Sequence, residues 1–108
     1  MTDETATLLV VDDTEMNRDM LSRRLAKQGY TVLVAEDGQA ALDTIAREAI
    51  DLVLLDIMMP GIDGIEVLTR VRTTRGPSDL PIIMVTAKDA GEDVVAALKA
   101  GANDYVTK

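Results

Sequence analysis

The stretch Asp51-Leu52-Val53-Leu54-Leu55-Asp56-Ile57-Met58-Met59-Pro60-Gly61 sets the reading of the whole chain. Its unbroken Leu/Val run has no polar alternation, the pattern of a strand covered on both faces and therefore of a parallel sheet. Asp56 ends that run. A carboxylate at the end of a buried strand is costly unless a cation or hydrogen bonds support it. The position calls for a positively charged partner, and Pro60-Gly61 marks the turn that follows.

Outward from this strand, apolar runs alternate with helix-period segments. Leu8-Leu9-Val10-Val11 reads as a strand. Thr14 is placed to cap a helix from Glu15 to about Gln28, with Met16, Met20, Leu21 and Leu25 facing inward and Gly29 past its end. Thr31–Ala35 is a second strand, and a helix from about Gly38 to Ala49 carries Leu42, Ile45 and Ala49 on one stripe. After Asp56 come a loop and a helix from about Gly64 to Thr73. Pro81 opens a fourth strand, Ile82-Ile83-Met84-Val85, and a helix from about Glu92 to Ala100 leads to a fifth, Asp104–Thr107. Strand-helix repetition of this kind predicts one α/β domain over residues 1–108, a doubly wound parallel sheet with helices on both faces. No linker, repeat or low-complexity segment interrupts it.

Composition narrows the chemistry. The 108 residues suffice for one compact domain, and 47% hydrophobic residues supply its core. With no cysteine and no histidine, disulfides, thiolate or imidazole metal sites, Ser-His nucleophiles and a phosphohistidine on this chain are all excluded. The metals left are hard cations with oxygen ligands, magnesium first. A net charge of -8 repels nucleic acid and anionic membranes. No apolar run has the length of a membrane span, and the polar start Met1–Thr5 does not read as a signal peptide, so a cytoplasmic domain is expected.

The unusual polar residues all fall at strand ends. Asp12 and Asp13 follow the first strand, Asp56 closes the third, Thr86 the fourth and Lys108 the fifth. Ligands of open parallel sheets bind outside the carboxyl ends of the strands. Three crowded carboxylates repel one another unless a divalent cation sits among them, and such a cation can also orient a phosphate. Thr86 can donate a hydrogen bond to a phosphoryl oxygen, and Lys108 can neutralise another. A carboxylate can itself be the nucleophile, forming an acyl phosphate. Asp56, single and central, is the candidate, whereas Asp12 and Asp13 are paired like metal ligands.

Val11-Asp12-Asp13, Leu55–Gly64, Val85-Thr86-Ala87 and Tyr105-Val106-Thr107-Lys108, four motifs in order along the whole chain, resemble the receiver domain of two-component response regulators. The resemblance implies a flavodoxin-like fold with strand order 2-1-3-4-5. It implies that Asp56 accepts a phosphoryl group from a phosphohistidine on a partner kinase or phosphotransfer protein. It implies direct magnesium ligands in Asp13, Asp56 and the backbone carbonyl of Met58, with Asp12 acting through water. Thr86 and Lys108 would hold the phosphoryl oxygens. Thr86 would move toward the phosphate while Tyr105 turns inward, changing the surface around the fourth helix and fifth strand for an output domain. Such a module is a signalling switch rather than a turnover enzyme.

Other readings compete. Asp12-Asp13 could be helix-capping acids, Asp56 a turn residue, Thr86 an ordinary strand-end hydroxyl and Tyr105 a partly buried strand aromatic. Arg18, Arg23, Arg24 and Lys27 read as a solvated helix face. An aspartyl-phosphate phosphohydrolase would need a nucleophile and an acid two residues apart after the first strand, a spacing that Asp12-Asp13-Thr14 lacks. A flavin carrier needs a Ser/Thr/Gly-rich loop and aromatics, which make up only 2% here. A receiver that only binds partners would not need the five strand-end groups. Receivers usually continue past this lysine into a fifth helix, so the chain is read as a receiver fragment lacking the final helix. Part of Ile82–Val85 and of the fifth strand would then be bare on the face of the first helix, and self-association through that face is expected.

Overall fold

A computed structural model describes residues 5–86 and 91–107. Five strands, β1 (Thr7–Val11), β2 (Thr31–Ala35), β3 (Leu52–Asp56), β4 (Ile82–Thr86) and β5 (Asp104–Thr107), alternate with α1 (Glu15–Lys27), α2 (Gly38–Arg47), α3 (Gly64–Arg72) and α4 (Gly91–Ala100). All neighbouring strands are parallel, and the sheet order is β2-β1-β3-β4-β5. This is the flavodoxin-like arrangement expected from the motifs.

The alternation of side chains along each strand divides the core in two. Leu9, Val11, Val53, Leu55, Ile82 and Met84 pack with Ala41 and Ile45 of α2, Val67, Leu68 and Val71 of α3, and Ala97 of α4. On the other face lie Leu54 and Val85, which with Met20 and Leu21 of α1 and Val106 of β5 line an apolar groove of about 220 Å³. The expected bare strip is narrower than the sequence suggested. Val85 is buried and Ile83 half-buried, because the neighbouring strands shield them; the exposure falls on edge strand β5, where Val106 remains 47% accessible.

Helix α1 departs from its reading. Met16 is 76% exposed, Met20 remains 46% exposed although it lines the groove, and no residue of α1 is fully buried. The half-buried stripe is instead Asn17, Arg18, Leu21, Ser22 and Leu25. These positions follow one helical face, rotated by about one residue from the face the methionines mark. Thr14 is the N-cap residue as expected, but its side chain makes no capping hydrogen bond. Ala49 is exposed, beyond the end of α2, so only Leu42 and Ile45 of that stripe turn toward the core.

At the amino end of the sheet Arg72, which carried no signal in the sequence, gathers four segments. Its Nε donates to the carbonyl of Gly101 at 2.8 Å and its Nη1 to that of Leu80 at 2.8 Å, while Nη2 donates to Oδ1 of Asn103 at 3.0 Å. Asn103 in turn accepts from the amide of Ile82 at 3.0 Å and donates to the carbonyl of Pro77 at 3.1 Å. Partial burial pulls the pKa of Arg72 below the ordinary arginine value. This knot fixes where β4 and β5 begin, and hence where their far ends arrive. Replacing Arg72 with Met leaves part-buried carbonyls without donors, and should cost about 1–3 kcal/mol of stability. Arg72→Lys should recover only part of that, since an ammonium lacks the planar fork. Urea unfolding of the two variants provides the measurement.

Candidate functional site

Parallel pairing in register brings the strand ends to one edge. Asp56 lies opposite Val85, and Thr86 opposite Thr107, while Asp12 comes directly after β1. Asp12, Asp56 and Thr86 are buried, at 1%, 2% and 1% exposure; Asp13 is exposed at the rim. One carboxylate oxygen from each of Asp12, Asp13 and Asp56 lies within 4.8 Å of the others. Residues 44 apart in sequence therefore share one small volume because β1 and β3 are sheet neighbours.

Local hydrogen bonds hold these groups. The amide of Asp12 donates to the Ala35 carbonyl at 3.2 Å, and its Oδ1 accepts from the amide of Thr14 at 2.9 Å. This bond forms a turn ahead of α1, whose N-cap is Thr14, so Asp12 does not cap the helix. Oδ1 of Asp56 accepts from the amide of Met58 at 3.3 Å, the turn geometry expected after a strand-end aspartate. The start of α3 closes in behind it. The amide of Gly64 donates to the Ile57 carbonyl at 2.9 Å, and a Cβ at Gly64 would collide with the carbonyl oxygen of Asp56. Glycine is required there so that the helix can abut the end of β3.

The donor set fits a hard divalent cation. It consists of oxygens only, and two of its three carboxylates are withdrawn from water. Ligands of one magnesium ion, each at about 2.1 Å, lie at most about 4.2 Å apart. Three oxygens within 4.8 Å of one another therefore leave an edge of a size to enclose such an ion, held directly or through water. Met58 follows Asp56 by two residues and is 65% exposed; a thioether is a poor ligand for a hard cation, so any contribution to an ion would come from its backbone carbonyl. Tyr105 lies on β5 with 42% exposure, opposite Met84 in the register. Lys108, expected to hold phosphoryl oxygens, and residues 87–90 lie outside the described residues. Arg18, read as part of a solvated face, is half-buried and donates from Nη1 to the backbone carbonyl of Asp12 at 2.7 Å. The sequence offered no signal for this beyond the spacing of six residues.

Known proteins share this fold and much of this sequence. The sequence profile of the response regulator receiver domain matches residues 8–108. The response regulator MprA of Mycolicibacterium vanbaalenii is 48% identical over 101 residues, which cover 94% of this chain and 43% of that protein. MprA of Mycobacterium avium shows the same identity and coverage. Among solved structures, a CheY-like response regulator receiver domain protein from Methanospirillum hungatei superposes with a TM-score of 0.89 at 33% identity, covering 97% of this chain and 82% of that one. The response regulator TrrA of Thermotoga maritima, solved in complex with Mg2+-BeF, superposes with a TM-score of 0.86 at 38% identity, covering 96% and 87%. The chain belongs to the response regulator receiver domain family. It spans less than half the length of the curated relatives it matches. Among the described residues, no helix is long and apolar enough to cross a membrane.

Three carboxylates held within 4.8 Å repel one another in the metal-free chain. At an effective dielectric of about 20, a pair at that separation costs roughly 3–4 kcal/mol, and exposure of Asp13 reduces this to on the order of 1 kcal/mol. Asp13→Asn should therefore raise the stability of the metal-free protein by that amount while reducing the stabilisation given by millimolar magnesium. Thermal melts with and without the ion check both signs.

Proposed function

We propose that this domain is a magnesium-dependent phosphoacceptor switch in which Asp56 is phosphorylated. The observation that carries the reading is the convergence of Asp12, Asp13 and Asp56 on one point beside the buried Thr86. Asp13, Asp56 and the Met58 carbonyl would hold the ion, with Asp12 acting through a coordinated water. When bound, magnesium supplies the positive charge that lets an anionic phosphoryl group approach three carboxylates.

The chain's own groups then have distinct tasks. A carboxylate oxygen of Asp56 attacks phosphorus in line with the leaving imidazole of a partner's phosphohistidine. A P–O bond forms, the P–N bond breaks, and the electron pair leaves on the imidazole nitrogen. The turn from Asp56 to Met58 fixes the direction of the attacking carboxylate. The Thr86 hydroxyl donates to one phosphoryl oxygen, and Lys108, following β5, balances the charge of another. Attack of water on phosphorus returns the free carboxylate and inorganic phosphate, so the domain resets itself. Positioning and charge neutralisation carry most of the rate.

The conformational consequence runs through β4 and β5. Movement of Thr86 toward the phosphate frees space at the end of β4, and Tyr105 on the adjoining strand turns in from its exposed position. The surface of α4 and β5, where Val95, Leu98, Tyr105 and Val106 are exposed, changes shape for an output partner.

Intact-mass spectrometry after incubation with acetyl phosphate and magnesium tests the reading. One phosphoryl group per chain is expected, labile in base, absent in Asp56→Asn and absent with a chelator. Sustained release of phosphate over many turnovers with no adduct on Asp56 would instead indicate a hydrolase.

A further inference from the structure

Arg18 stands out among the basic residues of α1. Arg23 pairs with Asp19 on the exposed surface, whereas among the described residues Arg18 forms no ion pair with any carboxylate. Its short bond goes to a backbone carbonyl, that of Asp12, at 2.7 Å. This carbonyl belongs to the peptide joining Asp12 to Asp13. Its orientation sets the plane from which Asp13 departs. Asp12 has its own restraints in the bonds to Ala35 and Thr14. Asp13 is exposed, and none of the hydrogen bonds found involves its side chain. The peptide plane ahead of it is thus the main restraint on where its carboxylate stands. The amide of Arg18 donates to the Thr14 carbonyl at 3.0 Å, so the first turn of α1 anchors the arginine that reaches back to the strand end.

We infer that Arg18 is a positioning residue of the cation site, holding the Asp12–Asp13 peptide so that Asp13 presents its carboxylate to the ion. This inference rests on the magnesium-binding reading of the site. Two physical roles for a cation at this place predict opposite signs. If Arg18 acted only through its charge, it would compete with magnesium, and removing it would tighten ion binding. If it orients a ligand, removing it weakens binding, and partners that orient metal ligands typically contribute about 10–100-fold in affinity.

Calorimetric titration of the whole chain with magnesium chloride at fixed ionic strength separates these. The expected result is binding to the wild type, binding about ten-fold or more weaker in Arg18→Ala, and intermediate binding in Arg18→Lys, which keeps a charge and donors but loses the planar fork. Equal or tighter binding in Arg18→Ala overturns the inference and leaves the cation site standing. Absence of binding in the wild type removes both. If Arg18→Ala does not fold, Arg18→Lys carries the test alone, because a charge-only role makes it indistinguishable from wild type. In the metal-free protein, the Asp13 amide resonance should shift and its hydrogen exchange quicken in Arg18→Ala, without matching changes at Asp56. An unchanged Asp13 amide would overturn the inference as well.

Discussion

Like charges brought together on purpose are the constraint around which this molecule is arranged. Folding places Asp12, Asp13 and Asp56 within 4.8 Å, two of them out of contact with water. Every other element of the edge either holds that arrangement in place or answers its charge. The β1–β3 pairing supplies the proximity, Gly64 lets α3 press against the end of β3, and the Asp56–Met58 turn aims the central carboxylate. A cation placed among the three carboxylates would relieve this repulsion, which is why the edge suits a divalent ion. A parallel sheet suits the task because all its strands end on one side, so distant residues converge without long loops.

The opposite end of the sheet carries the complementary requirement. Arg72 and Asn103 fix the starting points of β4 and β5 through carbonyls of Leu80, Pro77 and Gly101. Since the strands are only four or five residues long, a shift in register at one end would displace Thr86 at the other. The acidic edge and the arginine knot are thus two ends of the same constraint. In contrast, α4 buries only Ala97 fully and leaves Val95 and Leu98 exposed, which makes it the helix least bound to the core through buried side chains on its face of the sheet.

Much of this was legible in the sequence. The Leu/Val run ending at Asp56 gave a two-sided strand, and the repeated strand-helix pattern gave the parallel sheet. The strand-end placement of Asp12, Asp13, Asp56 and Thr86 gave the edge on which they meet. What escaped the reading has two causes. Hydrophobicity marked Met16 and Met20 as inward, yet the helix docks on a face one residue round, led by Leu21 and Leu25. Methionine is tolerated on surfaces and is a weak guide to orientation. The same rotation turns Arg18 from a solvated charge into a partner of the Asp12 carbonyl. The Arg72 knot was invisible because most of its acceptors are backbone carbonyls, which no residue code records, and its one side-chain acceptor, Asn103, lies 31 residues away.

The central claim is that one cation occupies the point shared by Asp12, Asp13 and Asp56. Paramagnetic broadening of backbone amides by sub-stoichiometric manganese measures this directly, since the effect reports distance to the ion. The account predicts broadening centred on residues 12, 13, 56 to 58 and 86, and relieved by excess magnesium. Broadening spread over acidic surface away from this edge, around Asp43, Glu48 and Asp79, or none at the β1 and β3 ends, would contradict it.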